Sequence, residues 1–304
     1  MIYPDLRPVI EAYKRGENIT IKLRETLGLS ENSPEIIEIA YDLQSGTYIK
    51  MVEEDPAGWK NRCNEMASIL SALPGLGPRI LDVGTGEMTT LTGIAAEAHW
   101  TDKELFACDI SLSRLLSGNG FVSRHLRNNR VTPFVGNIFR IPFKDNSMDL
   151  VWTCHALEPN GGKELAAVRE LFRVSRKYVV FFEPAYENNS KEGRARMDRL
   201  GYVRGLPGII NQVGGELIEC IKINFAAQPL NPTWGYVCKK RDARPSHSLW
   251  ACPATGRDLL RMEDCFYSPA SRLVFPIIKG IPILRVEAGI LAGWIFEINN
   301  FGPQ

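Results

Sequence analysis

This 304-residue sequence has no uninterrupted apolar run near the ~18 residues that suggest a membrane span; the longest, "AGILAGWIF", is half that. Its opening, "MIYPDLRPVIEAYKRGEN", places acidic and basic residues where a signal peptide needs an apolar stretch. Neither a membrane protein nor a secreted one is expected. Paired cysteine spacing is also missing: the seven cysteines are odd in number and form no C-x-x-C, so a reducing, cytoplasmic compartment fits better than a disulfide framework. Charge of one sign is scarce as well. A formal net charge of +1 offers no global field for gripping nucleic acid, although a local basic patch would not show in that sum.

What is present reads as a helical beginning followed by alternating strands and helices. Ser33 as N-cap and Pro34 at the first helical position open a helix over 33–51, and a second spans 56–73. On the first helix Tyr41, Gln44 and Tyr48 are spaced to share a face, either packing inward or closing over a ligand. From Arg79 onward, "RILDVGT", "ELFACDI", "VTPFVGN", "DLVWTCHAL" and "KYVVFFEP" are short apolar runs separated by helix-like stretches. That alternation implies a parallel sheet covered on both faces. "ELIECIKINF" and "TWGYVCKK" add two strands close enough in sequence to form an antiparallel end. The expected fold is α/β, a seven-stranded Rossmann-like sheet with N-terminal helices and a small β-rich module at the C-terminus. The expected units are residues 1–55 as a helical lid, 56–244 as the sheet domain and 245–304 as the module.

In such sheets ligands sit at the carboxyl ends of the strands. "LDVGTGEMTT" ends the first strand at Asp82 and turns on Gly84 and Gly86, but the third glycine of a dinucleotide fingerprint falls at Thr89, which argues against a pyrophosphate. Asp109 ends the second strand 23 residues after Gly86, where a carboxylate can accept hydrogen bonds from ribose hydroxyls. "GNIFRIPFKDNSMDLV" then leads into the fourth strand.

With these motifs, residues 56–240 resemble the seven-stranded S-adenosylmethionine-dependent methyltransferases. The resemblance implies S-adenosylmethionine as cofactor, its methionine and ribose wrapped by the turn at Asp82, Gly84 and Gly86. It assigns the ribose to Asp109 and the adenine amine to Asn137 with the backbone of Ile138, and allows Tyr48 to cover the methyl end. Two positions depart from the family: Met88 stands where glycine is frequent and could narrow the turn, and Asn137 replaces an aspartate while keeping an amide oxygen for the adenine. After the fourth strand, "WTCHALEPNGG" resembles the family's L-E-H stretch and would put His155 and Glu158 near the sulfonium. His155 is the candidate catalytic base; the alternative is a structural histidine bonded to a backbone carbonyl.

The tail "LWACPATGRDLLRMEDCFYSPASRLVFPIIKGIPILRVE" resembles small zinc-ribbon-like activator subunits of methyltransferases of tRNA, ribosomal RNA and translation factors. Their C-x-x-C knuckles read here as Cys252-x-x-Thr255 and Cys265-x-x-Ser268, with His247 as the one additional candidate, so no metal is expected. "RLVFPII" and "IPILRV" flank Lys279-Gly280 as a hairpin, and the module is expected to dock on the sheet domain of the same chain. The arginine-rich segment "NNSKEGRARMDRLGYVRG" is either a solvated helix face or a grip for phosphate or carboxylate. The acceptor is expected to be a small polar metabolite, a sugar or a secondary-metabolite hydroxyl or amine. Methylation of RNA or of a translation factor is the rival, and a catalytically silent adaptor the alternative of another class.

Overall fold

The computed structural model describes residues 5–126, 130–224, 229–241, 243, 244, 246 and 248–293. Five helices come first: α1 (Arg7–Lys14), α2 (Ile19–Leu27), α3 (Pro34–Asp42), α4 (Thr47–Glu54) and α5 (Pro56–Ser71). Ser33 caps α3 by accepting the Ile36 N–H, with Pro34 at the first position. The single helix expected over 33–51 is instead two. Gly46 adopts φ +93°, a conformation that ends a right-handed helix, so α4 starts in a new direction. Tyr41, Gln44 and Tyr48 therefore do not share a helix face.

The alternation follows as β1 (Arg79–Val83), α6 (Thr89–Glu97), β2 (Glu104–Asp109), α7 (Leu112–His125), β3 (Val131–Val135), β4 (Met148–Cys154), α8 (Glu164–Val174) and β5 (Ser175–Pro184). Helices α9 (Lys191–Leu200) and α10 (Leu206–Gln212) precede β6 (Glu216–Lys222) and β7 (Thr233–Lys239). The strands order as β3-β2-β1-β4-β5-β7-β6, with β7 antiparallel to both neighbours. This is the seven-stranded Rossmann-like arrangement with an antiparallel end. Both faces are buried, and side chains alternate between them along one strand: Val179 and Phe181 of β5 enter one core, Tyr178, Val180 and Phe182 the other. Pro133 sits in β3, an edge strand, where its missing N–H breaks no inner ladder.

The tail forms a small antiparallel sheet from β8 (Leu260–Arg261), β9 (Cys265–Ser268), β10 (Leu273–Ile278), β11 (Ile281–Pro282) and β12 (Ile290–Leu291). Lys279 and Gly280, at φ +49° and +81°, make the two-residue turn between β10 and β11. The tail packs on the β3 edge. Ile283 bridges Val135 in parallel, and the Leu284 N–H donates to the Val135 carbonyl at 2.8 Å. Trp250 lies 4.5 Å from the Phe143 ring, 5.5 Å from Phe134 and 5.2 Å from Phe266, so the tail shares one of the two cores of the sheet. Arg285 reaches further, to an ion pair with Glu38 on α3 at 2.5 Å.

Candidate functional site

The loop after β1 is built from left-handed residues: Gly84 at φ +75°, Gly86 at +57° and Met88 at +56°. Backbone N–H groups of Gly84 and Thr85 donate to the Cys108 carbonyl at 2.8 and 3.0 Å, which ties the loop to β2. A Cβ on Gly84 would lie 2.2 Å from the Ala156 Cβ, so only glycine lets the loops after β1 and β4 meet. Met88 takes the conformation a glycine would take and carries a side chain as well, at a cost of roughly 1–2 kcal/mol. It does not narrow the turn. Its side chain is fully buried in the core below, where Gly118 of α7 makes room: a Cβ there would lie 2.9 Å from the Met88 Cε.

Asp109 ends β2 with both oxygens already engaged, Oδ2 by the Gly86 N–H at 2.7 Å and Oδ1 by the Ser111 N–H at 2.9 Å. Burial pushes its carboxyl up, opposed by Arg114 and by those backbone donors. Each carboxylate oxygen keeps a second lone pair for a ligand hydroxyl. Asn137 differs from the expectation in the same way: its Oδ1 accepts the Phe139 N–H at 3.0 Å and offers a ligand only the remaining lone pair. Gly84, Asp109, Asn137, Ile138 and Tyr48 line one cavity.

Asp82 and Gly86 do not line it. Asp82 turns inward, where its carboxyl accepts the Thr85 hydroxyl at 2.6 Å and burial pushes it up to about 8, so it shapes the turn from beneath. Gly86 acts through Asp109. The residue between Gly86 and Met88 went unnoticed in the sequence: Glu87 has no exposed surface and accepts the N–H groups of Gly46 (3.0 Å) and Ile49 (2.8 Å) at the start of α4. It also pairs with Arg114 at 3.4 Å. Arg114, on α7, lies under Tyr48 (4.2 Å to the ring centre) and Tyr41 (5.3 Å), so the two tyrosines converge from separate helices onto one buried cation.

After β4 the chain turns at His155, φ +54°, whose N–H donates to the Phe182 carbonyl at 3.0 Å. Both ring nitrogens are held by side chains, Nδ1 by Glu158 Oε2 and Nε2 by Thr233 Oγ1, each at 2.7 Å. No backbone carbonyl is involved, contrary to the structural alternative. Burial pulls the imidazole pKa down, but the charge and hydrogen bond of Glu158 outweigh it and the net direction is up. Asn231 completes the network by donating to Glu158 at 3.0 Å. Glu183, at the end of β5, accepts the backbone N–H groups of Ala156, Leu157 and Glu158, and fixes this loop. Burial pushes Glu183 up to about 7, against the opposing pull of His155 and the Leu157 N–H.

A second, larger cavity opens on the other side of His155. It shares Tyr48, Cys154 and His155 with the first, so those three form the junction. The four arginines of the basic segment stay away from both cavities: Arg204 pairs with Asp198 at 3.0 Å and Arg194 donates to the Asn189 carbonyl. In the tail, the Cys252 Sγ lies 3.5 Å from the Ser271 hydroxyl. Burial raises this thiol, yet hydrogen bonds from Ser268, Ser271 and Thr255 carry it below its usual value. No group of three metal-ligating side chains occurs among the described residues, and His247 lies outside them.

Residues 80–177 match the family model described as a methyltransferase domain. The chain carries a methyltransferase domain. Its loop after β1 fits S-adenosylmethionine, since the Gly84 backbone lines the cavity and Asp109 stands at the cavity wall with a lone pair left on each carboxylate oxygen. Among solved structures it is similar to the magnesium protoporphyrin IX methyltransferase of Synechocystis PCC 6803, at 12% identity over 60% of this chain and 84% of that one, TM-score 0.49. A methyltransferase of Aquifex aeolicus shows 19% identity over 64% and 97%, TM-score 0.45. A complex containing the Haloferax volcanii Trm112 methyltransferase activator shows 16% identity over 65% and 94%, TM-score 0.49. No curated protein matches the chain. No helix among the described residues is long and apolar enough to cross a membrane.

Proposed function

We propose that this methyltransferase acts on a hydroxyl or amine of a small polar metabolite, in a reducing cytoplasm consistent with its seven free cysteines. The observation that carries the reading is the pair of cavities meeting at Tyr48, Cys154 and His155: the first, walled by Gly84, Asp109 and Asn137, would take the cofactor, and the larger second one the acceptor. Gly84, Asp109, Asn137, Ile138 and Tyr48 would hold the cofactor directly, with Asp82 and Gly86 shaping the turn. When bound, S-adenosylmethionine supplies a methyl group on a sulfonium, which leaves as a thioether once the acceptor's lone pair takes the methyl. Residues 1–55 serve as a lid, 56–244 as the catalytic domain and 245–304 as a fused, metal-free activator-like module.

His155 is the proposed base. With Nδ1–H donated to Glu158, the Nε2 lone pair is the proton acceptor, and an acceptor hydroxyl taking the place of Thr233 would lose its proton there. Labelled S-adenosylmethionine incubated with fractionated metabolites and with RNA tests the reading. Label in the metabolite fraction, little dependent on salt and reduced about 10²–10⁴-fold in His155→Ala without loss of cofactor affinity, is the expected result. Label in RNA or a protein fraction would favour the macromolecular acceptor that the tail's resemblance suggests. Absence of cofactor binding would leave an adaptor.

A further inference from the structure

The second cavity holds two polar groups with nothing to bind. Asn231 is only 7% exposed, and its orientation is set because Nδ2 donates to Glu158; its Oδ1 is buried without a hydrogen-bond partner. Arg62 of α5 lines the same cavity, its Nε is likewise buried without a partner, and no carboxylate among the described residues lies within ion-pair distance of it. The acids of this wall are occupied: Asp55 accepts the Gly58 N–H at 2.9 Å, and Glu158 takes His155 and Asn231. One cation thus lacks an ion-pair partner among the described residues, beside one orphan acceptor. A buried Nε of a half-buried arginine and a buried bare carbonyl oxygen, each without a partner, make the wall complementary to a ligand that supplies an anion and a donor.

We propose that the acceptor is a metabolite carrying a carboxylate, read by Arg62, and a hydroxyl or amine, read by Asn231 Oδ1 beside His155. This rests on the small-metabolite reading above. A carboxylate suits the wall better than a phosphate dianion, because one guanidinium lines it and the opposing charges of Asp55 and Glu158 weigh about twice as heavily on a dianion as on a monoanion. Trp59, whose indole N–H is spent on the Thr89 carbonyl at 3.2 Å, leaves an apolar face for the acceptor's carbon frame.

The test uses the full chain, labelled S-adenosylmethionine and a metabolite extract in three forms: untreated, phosphatase-treated, and amidated with carbodiimide and methylamine. Label should enter an acidic product in the first two forms and vanish in the third. Arg62→Met should lower kcat/KM on the untreated extract roughly tenfold to a hundredfold while S-adenosylhomocysteine affinity stays within about threefold. Asn231→Asp, which keeps an acceptor oxygen but adds a charge, should lower kcat/KM with affinity for S-adenosylhomocysteine again retained. Label that survives amidation, or is lost after phosphatase, overturns the carboxylate. An equal loss of S-adenosylhomocysteine affinity in Arg62→Met assigns the guanidinium to the cofactor's own carboxylate and also overturns it. If no small molecule in any extract takes label, the metabolite reading itself fails, and this inference with it.

Discussion

Replacing Glu87 by glutamine should unlatch the lid. The change keeps the volume, so no cavity opens, but it removes the charge that faces Arg114 and turns one acceptor oxygen into a donor. That amide N–H then faces either the Gly46 or the Ile49 N–H, leaving a buried donor unsatisfied. Glu87 has no exposed surface, so solvent does not soften the loss. A charge-assisted hydrogen bond contributes about 1.5–3 kcal/mol, and breaking a buried ion pair costs about 3–5 kcal/mol. Because Asp109 still lies near Arg114, the two losses do not add in full, and we expect about 3–5 kcal/mol, the ion-pair figure alone. In a domain of this size that corresponds to a fall in Tm of roughly 6–20 °C. Thermal unfolding measures it, and limited proteolysis should cut first in the connection at residues 43–46. Adding Arg114→Met should recover part of the loss, since the cation no longer lacks its partner. A Glu87→Gln protein within about 0.5 kcal/mol of the parent and equally resistant to protease would refute the latch.

Asp109→Ala should weaken S-adenosylhomocysteine binding by one to two decades in calorimetry; unchanged affinity would move the ribose contact elsewhere. Asp82, pushed up to about 8, stays protonated in the fold while the unfolded chain ionises near 4, so the unfolded state binds fewer protons across that window. Stability should therefore fall as pH rises from 5.5 to 8.5, by at most about 1.4 kcal/mol per pH unit for this one group, and Asp82→Asn should flatten the slope seen in urea unfolding. A chain ending at Arg244 uncovers Phe134 and Phe143, and should be less soluble and melt lower, with partial recovery when residues 245–304 are added back. Elemental analysis should find far less than one zinc per chain, and chelators should leave Tm unchanged; a structural zinc contributes about 10–16 kcal/mol in small zinc-finger peptides and could not be removed silently.

Much of the frame was legible in the sequence because it rests on local signals. The strands are short apolar runs, four of which, β1, β2, β3 and β5, stop at Gly84, Asp109, Gly136 and Pro184, and the Lys279-Gly280 hairpin follows from the conformations such a turn requires. Gly84, Asp109 and His155 stood out because they end strands where an open sheet binds ligands. The break at Gly46 was missed, since helical spacing runs on through a residue whose left-handed φ only the tertiary contacts with Glu87 select. Glu87 itself looked like solvent-facing charge in a loop. Arg62, Arg114 and Asn231 carried no local signal: each matters through neighbours that are distant in sequence. Glu183 was within reach, standing at the end of "KYVVFFEP" by the same rule that found Asp109.

The contact between Ile283 and Val135 spans roughly 150 residues of chain, and that separation has a meaning during synthesis. At about 5–20 residues per second, the β3 edge waits roughly 7–30 s on the ribosome before its covering strand has been made. Through that interval Phe134 and Phe143 lack Trp250, and the unpaired side of Val135 is open to any passing strand. Pro133 shortens the hydrogen-bonding surface offered in the meantime. A newborn chain of this protein is therefore most vulnerable to misassembly until residues 249–284 have been made, and slower translation between β3 and that segment should lower its soluble yield even though the folded molecule is unchanged.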